Sequence, residues 1–272
     1  MPDNNVLPIR ADISPALRPE ILDRHAPVLT GRGARVLGHA RQSLTTLCQQ
    51  MALIHDARKT AFDAHINPNA LRQLQNAKEG RGKAPPNTVM TGSEMHLTLP
   101  LAAAREFNTA AEAAFTRASR TLDKARTAVM EGMDQLAIEL SGKITDPKAA
   151  TAQGIAMASE LRAHLKTLSP ADRNALVRSE IAAGNVAVAS AVQTAAPFLS
   201  GFSPAEHANL RTEIERKFAP EVRNQLDACR SIVGAIEDAG NIAVNSYADA
   251  RVAEPNLGAA ANEALSALKA GG

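Results

Sequence analysis

The chain contains very few aromatic residues. Phe, Tyr and Trp make up 3% of its 272 residues, with one Tyr and no Trp. Its core must therefore be built from Ala, Leu, Val and Ile, which suits close packing between helices. The shortage argues against an aromatic-lined ligand pocket and against a stacking platform for nucleic-acid bases.

Cysteine and histidine occur without any metal-binding or catalytic spacing. The two cysteines, Cys48 and Cys229, lie far apart, and the seven histidines form no HExxH, HxxxH or similar pattern. We therefore expect buried free thiols, no metal, no cofactor, no catalytic residue and no enzymatic activity. The opposing hypothesis is an enzyme whose polar groups meet only in the folded chain.

The chain also lacks a strong excess of either charge. Its net charge is +2, too small to indicate a nucleic-acid partner by itself. The first 100 residues hold 12 Lys and Arg against 8 Asp and Glu, and the linker 80–87 carries Arg81 and Lys83. A solvated surface explains this skew. The alternative is a nucleic-acid-associated protein that contacts phosphates through Arg81 and Lys83.

One uncharged run, residues 181–205, is long enough to span a membrane. Pro197 and several Gly, Asn, Gln and Ser residues interrupt it, so we expect a buried helical hairpin and no stable membrane anchor. The residues of this hairpin expected to be among the least exposed are Ile181, Val188, Val192 and Leu199. The alternative is a segment that enters membranes conditionally.

Helix signals dominate the rest of the chain. Ser203-x-x-Glu206 is a capping box, and Ser169-Pro170 places a capping residue before a proline in the first turn. The third helix should end at Ser141, with Gly142 as a left-handed cap. At Gly184-Asn185 the chain either turns or continues helically to Ala196. The predicted helices cover 34–66, 69–78, 101–141, a stretch from Asp146-Pro147, a stretch from Ser169-Pro170, 203–218 and 220–252.

Two of these helices carry an apolar seam with heptad spacing. Residues 34–66 and 220–252 place apolar side chains three and four positions apart, as in a coiled coil. If one chain cannot cover both seams, self-association follows. The residues predicted to make such contacts are Leu37, Leu44, Leu47, Met51, Leu226, Val233, Ile236 and Tyr247.

Two segments outside the helices are candidate contact arms. Residues 1–30 contain five prolines, which predicts an extended arm with a short helical turn at Glu20–Arg24. Such an arm is either disordered or bound along a partner, and its apolar residues favour binding along a partner. Residues 88–99 predict a small β-hairpin, because Met95, Leu97 and Leu99 alternate as in a strand and Gly92-Ser93 fits a tight turn. Such a hairpin needs a neighbour to pack on.

The expected fold class is all-α. It is an elongated multi-helix bundle with coiled-coil-like helices, an extended N-terminal arm and a small hairpin at 88–99. The expected segments are an arm (1–30), a long helix with a short one (31–79), a linker with the hairpin (80–100), the bundle core (101–254) and a short helical tail (255–272).

The run of residues 195–207, within the segment 168–221, carries a resemblance. Its sequence, AAPFLSGFSPAEH, resembles a pattern seen in uncharacterised helical proteins of tailed bacteriophages and prophages. The resemblance implies a phage context and a virion role, and it transfers no site residues. Residues 1–5 lack the basic start and apolar run of a signal peptide, which agrees with synthesis in the cytoplasm of a bacterial host.

These observations together lead to one functional expectation. The chain is expected to be a non-enzymatic structural or assembly protein, a bacteriophage virion component. Its expected partners are copies of itself and other virion proteins, which it binds through helix–helix and arm contacts.

Overall fold

The structure is a computed structural model, and it describes residues 12–91 and 94–254. The described chain is mostly α-helical with one two-stranded antiparallel sheet, which confirms the all-α expectation. The helices are α1 (Gly31–His65), α2 (Pro68–Lys78), α3 (Leu101–Ile144), α4 (Ala152–Thr167), α5 (Pro170–Ala182), α6 (Val186–Gln193), α7 (Pro204–Phe218) and α8 (Pro220–Ala250). The strands are β1 (Thr88–Thr91) and β2 (Glu94–Leu97).

The contacts divide the chain into two compact units, each built from stretches that are distant in sequence. Unit 1 comprises Met1–Ile21, Ala40–Ala125 and Ala235–Gly272, and unit 2 comprises Leu22–His39 and Arg126–Gly234. The long helices α1, α3 and α8 each contribute residues to both units. Each unit therefore combines residues from several of the segments that were expected from sequence order.

The core of each unit consists mainly of small and aliphatic side chains. Unit 1 also has a half-buried aromatic pair, in which Phe115 stacks on Tyr247 with ring centroids 4.5 Å apart. In unit 2, Gly132 of α3 lies against Val36 of α1, so the missing Cβ allows a close approach. Both cysteines are buried thiols outside any disulfide, as expected, and burial raises the pKa of the Cys229 thiol.

The predicted helix starts at Ser169 and Ser203 are confirmed. The Ser169 hydroxyl oxygen accepts a hydrogen bond from the Asp172 backbone N–H at 3.2 Å. At α7 both halves of the capping box form. The Glu206 N–H donates to the Ser203 hydroxyl at 3.2 Å, and the Ser203 N–H donates to the Glu206 carboxylate at 2.8 Å. These bonds satisfy N–H groups that have no partner within the helix.

The capping box makes the stability of α7 depend on pH. The backbone N–H of Ser203, its hydroxyl and the Asn174 amide donate to the Glu206 carboxylate, and together they hold the pKa of Glu206 below its ordinary value. A carboxyl with a lowered pKa contributes stability above its unfolded-state pKa and loses it as the pH falls through the folded-state pKa. Wild type should therefore lose its advantage over Glu206→Gln below about pH 4.

Urea denaturation of both proteins across this pH range, followed by circular dichroism, measures the difference. Glu112→Gln, which removes an exposed carboxylate from α3, serves as the control. Parallel stability curves for wild type and Glu206→Gln would contradict the prediction.

Two predicted helix boundaries between α3 and α4 are wrong. Helix α3 continues through Gly142 to Ile144, because Ile144 still lies in the core with 1% of its surface exposed. Asp146 caps no long helix. Its carboxylate accepts from the Lys148 N–H at 2.9 Å in a local turn. Thr151 caps α4 instead, accepting from the Gly154 N–H at 3.0 Å.

Between α5 and α6 the chain turns, which settles the alternative left open at this point. Gly184 adopts a φ of +81°, a left-handed conformation that favours glycine. The Asn185 side chain then caps α6 by accepting from the Val188 N–H at 3.3 Å.

The predicted β-hairpin is present, with Thr88 opposite Leu97 and Met90 opposite Met95. Its base is anchored within unit 1. The Asn87 side chain donates to the Thr98 carbonyl at 2.6 Å, and the Thr98 hydroxyl donates to the Ala253 carbonyl at 2.7 Å. The neighbour that the hairpin requires is therefore supplied by its own chain.

The described part of the N-terminal arm packs on its own chain. Pro15–Leu17 and Pro19–His25 form 3₁₀ helices, and the second confirms the turn expected at Glu20–Arg24. Leu17 and Leu22 are fully buried. For these residues the expected partner is thus the chain itself. Residues 1–11 and the predicted tail helix at 255–272 lie outside the described residues.

Candidate functional site

The clearest candidate site is a groove in unit 2. It has a volume of about 790 Å³ and runs between α4, α6 and the 3₁₀ turn Pro197–Leu199. Gly154, near the start of α4, lets the helix approach the preceding turn closely, because a Cβ there would clash with the Lys148 carbonyl. This contact fixes where the turn 146–151 and α4 meet at one side of the groove.

Large apolar side chains lie open along the groove. Ile155 is 58% exposed, Met157 57% and Leu199 41%. The prediction that Leu199 is among the least exposed residues is therefore wrong, whereas Ile181, Val188 and Val192 are buried as predicted. The apolar residues of α4 do not all lie in the core: Leu165 is buried, while Ile155 lies open at the groove.

Helix α6 forms the base of the groove. Val188, Ser190 and Ala191 line it and are buried. The neighbouring carbonyl of Val192 lies 2.9 Å from the Nε2 of His207, which comes from α7 and is itself buried. This contact supplies a partner for a carbonyl near the end of α6, where carbonyl groups lack partners within the helix.

Two cations lie at the groove without a carboxylate partner. Neither Lys148 nor Arg162 has a carboxylate within 4.0 Å among residues 12–91 and 94–254. The Arg162 guanidinium makes one long hydrogen bond, 3.4 Å, to the Ala191 carbonyl. Asp146 also lines the groove. The groove therefore has a net positive charge of one.

The buried guanidinium of Arg173 fixes the turn that carries Leu199. Arg173 is 8% exposed, and it donates to the Leu165 carbonyl at 2.7 Å, to the Leu168 carbonyl at 3.0 Å and to the Gly201 carbonyl. It also lies over the Phe202 ring, 5.6 Å from the centroid. One side chain thus joins the end of α4 to the turn before α7.

Gly201 is required at its position for two reasons. Its φ is +75°, and a Cβ there would lie 2.9 Å from the Arg173 Cζ. Sequence inspection singled out neither Arg173 nor the groove. Arg173 is the fourth residue of α5, and its sequence context does not distinguish it from a surface arginine.

A second exposed apolar surface of unit 2 lies on α3, and it was not predicted from the sequence either. Met130 and Ile138 are 45% and 66% exposed, and Glu131 and Asp134 are exposed beside them. The opposite face of the helix, which includes Val129 and Leu136, is buried. The sequence signal for this surface is the pair Met130 and Ile138, two apolar residues eight positions apart on an otherwise polar face of the helix.

The residues predicted to make intermolecular contacts lie within the two units. Six of them are buried: Leu37, Leu44, Leu47, Met51, Leu226 and Ile236. Val233 and Tyr247 are half-buried. The chain itself covers most of both seams, so a second chain could reach them only if the helices separated. Leu44, Leu47, Met51, Ile236 and Tyr247 belong to unit 1, and Leu37, Leu226 and Val233 belong to unit 2.

The basic linker is exposed. Arg81 forms an ion pair with Glu79, and Lys83 is exposed nearby. This pair offsets part of the positive charge that the linker would present to a phosphate. The contact of Arg81 and Lys83 with nucleic acid stays a prediction.

Within residues 12–91 and 94–254, no three His, Cys, Asp or Glu side chains come together in a group that could hold a metal ion. In the same part of the chain, no helix combines the length and the apolar character needed to cross a bilayer. A comparison of this chain with protein-family models, with curated proteins and with solved structures found no match.

Proposed function

We propose that this chain is a non-enzymatic assembly protein that binds another protein through the groove of unit 2. The observation that carries the proposal is the row of open apolar side chains, Ile155, Met157 and Leu199, along that groove. Exposed apolar patches with polar rims are typical of protein-binding surfaces. The groove is bordered by polar and charged groups of this kind, including Lys148 and Arg162.

The form of the groove favours a protein over a small ligand. Small-molecule pockets enclose most of the surface of their ligand and converge a few polar groups on it. Here the apolar side chains of Ile155, Met157 and Leu199, which form the walls of the groove, are each more than 40% exposed. A helix from a partner could cover such walls with several side chains at once.

The placement of this protein in a phage virion is the finer part of the proposal. Its support is the resemblance of residues 195–207 to phage-encoded helical proteins. That run includes Leu199 at the groove and Gly201, which the Arg173 side chain binds. The motif therefore coincides with the wall of the proposed binding surface.

Light scattering of the purified chain and mass spectrometry of purified phage particles test the proposal together. We expect species larger than the monomer at rising concentration, and we expect the chain to be present in the particles. A chain that stays monomeric at every concentration and is absent from the particles would overturn the assembly function.

A further inference from the structure

The exposed stripe on α3 has the composition of a surface that binds a groove. Met130, Asp134 and Ile138 follow one another at intervals of four, so they share one face of the helix. Ala137 and Ser141 are small and exposed on the same face. Glu131 is exposed beside Met130 and Asp134, so two apolar side chains and two carboxylates can project from this stripe.

The acidic residues of this stripe have no cation to neutralise them. Neither Glu131 nor Asp134 has a basic side chain within 4.0 Å among the described residues. Exposed carboxylates of this kind remain available to a partner. They match the two cations of the groove, Lys148 and Arg162, in number and are opposite in sign.

The stripe and the groove also match in length and character. The stripe Met130–Ser141 extends about 18 Å along α3, and α4 extends about 24 Å. The apolar side chains of the stripe correspond to the open walls Ile155, Met157 and Leu199 of the groove. The two surfaces are therefore alike in apolar character and opposite in charge.

We propose that the groove of one copy binds the α3 stripe of a second copy. Met130 and Ile138 then pack against the apolar walls, while Glu131 and Asp134 pair with Lys148 and Arg162. This inference rests on the proposed assembly function and names its partner as the chain itself. Reciprocal pairing closes a dimer, whereas one-way pairing continues into a larger assembly.

Charge reversal on each surface provides the test. Asp134→Lys changes the net charge of the stripe from −2 to 0, and Arg162→Glu changes that of the groove from +1 to −1. Each variant alone should therefore self-associate more weakly than wild type, by about tenfold or more in the dissociation constant. An equimolar mixture should recover association, since the unchanged groove of the Asp134→Lys variant then meets the unchanged stripe of the Arg162→Glu variant.

Sedimentation equilibrium of the full chain measures these constants. Arg216→Glu on α7 and Asp238→Lys on α8 change the net charge by the same amounts at exposed positions outside both surfaces, and they should leave association unchanged. Circular dichroism checks that every variant keeps its helices. Weaker association in both surface variants with recovery in the mixture supports the pairing.

Two results would overturn the pairing, and they bear differently on the assembly function. If wild type self-associates and neither Asp134→Lys nor Arg162→Glu changes this, the chain assembles through another surface. If wild type is monomeric at every concentration, the pairing is wrong. The presence of the chain in particles then decides whether it assembles with other proteins.

Discussion

Replacing Arg173 with alanine should lower the free energy of unfolding by about 3–5 kcal/mol, because several hydrogen bonds to a charged group are lost and each contributes about 1.5–3 kcal/mol. The guanidinium is 8% exposed and donates to three backbone carbonyls, those of Leu165, Leu168 and Gly201. Alanine leaves the Leu168 and Gly201 carbonyls without this donor, while the Leu165 carbonyl keeps a long bond from the Leu168 N–H at 3.4 Å. Each buried acceptor without a donor costs about 1–3 kcal/mol. Urea denaturation monitored by circular dichroism measures the change.

Arg178→Ala is the matched control for this prediction. Arg178 lies on the same helix, is 56% exposed at its side chain and pairs with Glu213 at 3.1 Å. Exposed pairs contribute about 0–1 kcal/mol. Arg173→Lys tests geometry, since lysine keeps the charge but cannot donate to three divergent carbonyls from a planar group. Equal losses for Arg173→Ala and Arg178→Ala would show that the buried guanidinium has no special role.

Replacing Glu215 with alanine should lower the free energy of unfolding by about 3 kcal/mol, at the lower end of the range for a broken buried ion pair. The Glu215 side chain is 7% exposed and pairs with Arg223 of α8, whose side chain is 16% exposed. The lower end applies because Asp227 still binds the Arg223 Nε at 3.0 Å after the change. Thermal and urea denaturation of Glu215→Ala measure the loss.

Glu213→Ala provides the comparison on the same helix. Its carboxylate is 41% exposed and pairs only with Arg178 among the described residues. The expected loss is below about 1 kcal/mol. The double variant Glu215→Ala with Arg223→Met removes both charges and should recover part of the stability, because no buried charge is then left alone. No recovery would mean that Glu215 acts through packing and not through its charge.

Local chemistry made several elements predictable from sequence. Ser169 and Ser203 with their following prolines specify helix starts through bonds that involve only neighbouring residues. The alternation of Met95, Leu97 and Leu99 after Gly92-Ser93 predicted the hairpin for the same reason. These signals depend on a few adjacent side chains, so tertiary context did not alter them.

Boundaries set by tertiary burial were harder to predict. Gly142 looked like a helix end, yet burial of Ile144 carries α3 past it. Leu199 looked like a core residue, yet it is exposed, while its neighbour Ser200 and the charged Arg173 are buried. Hydrophobic patterning assigns the inside to apolar residues, and it cannot anticipate a guanidinium that satisfies backbone carbonyls there.

The heptad seam of α8 shows a related limit. The sequence predicts which face is apolar, and the structure confirms that Leu226 and Ile236 lie on a buried face. Periodicity does not reveal whether the covering helix belongs to the same chain or to another. The candidate binding surfaces are therefore the groove and the exposed face of α3, where apolar residues are exposed, and not the buried seams.

The sequence positions of the residues in unit 1 determine when its core can form during protein synthesis. Among the described residues, unit 1 combines 12–21, 40–125 and 235–254, and unit 2 combines 22–39 with 126–234. In unit 1, Tyr247 of α8 stacks on Phe115, and Gly240 of α8 lies beside Leu122. During translation Phe115 and Leu122 leave the ribosome more than a hundred residues before these partners. The core of unit 1 therefore cannot be complete until α8 has been synthesised, long after the residues of α3 that it packs against.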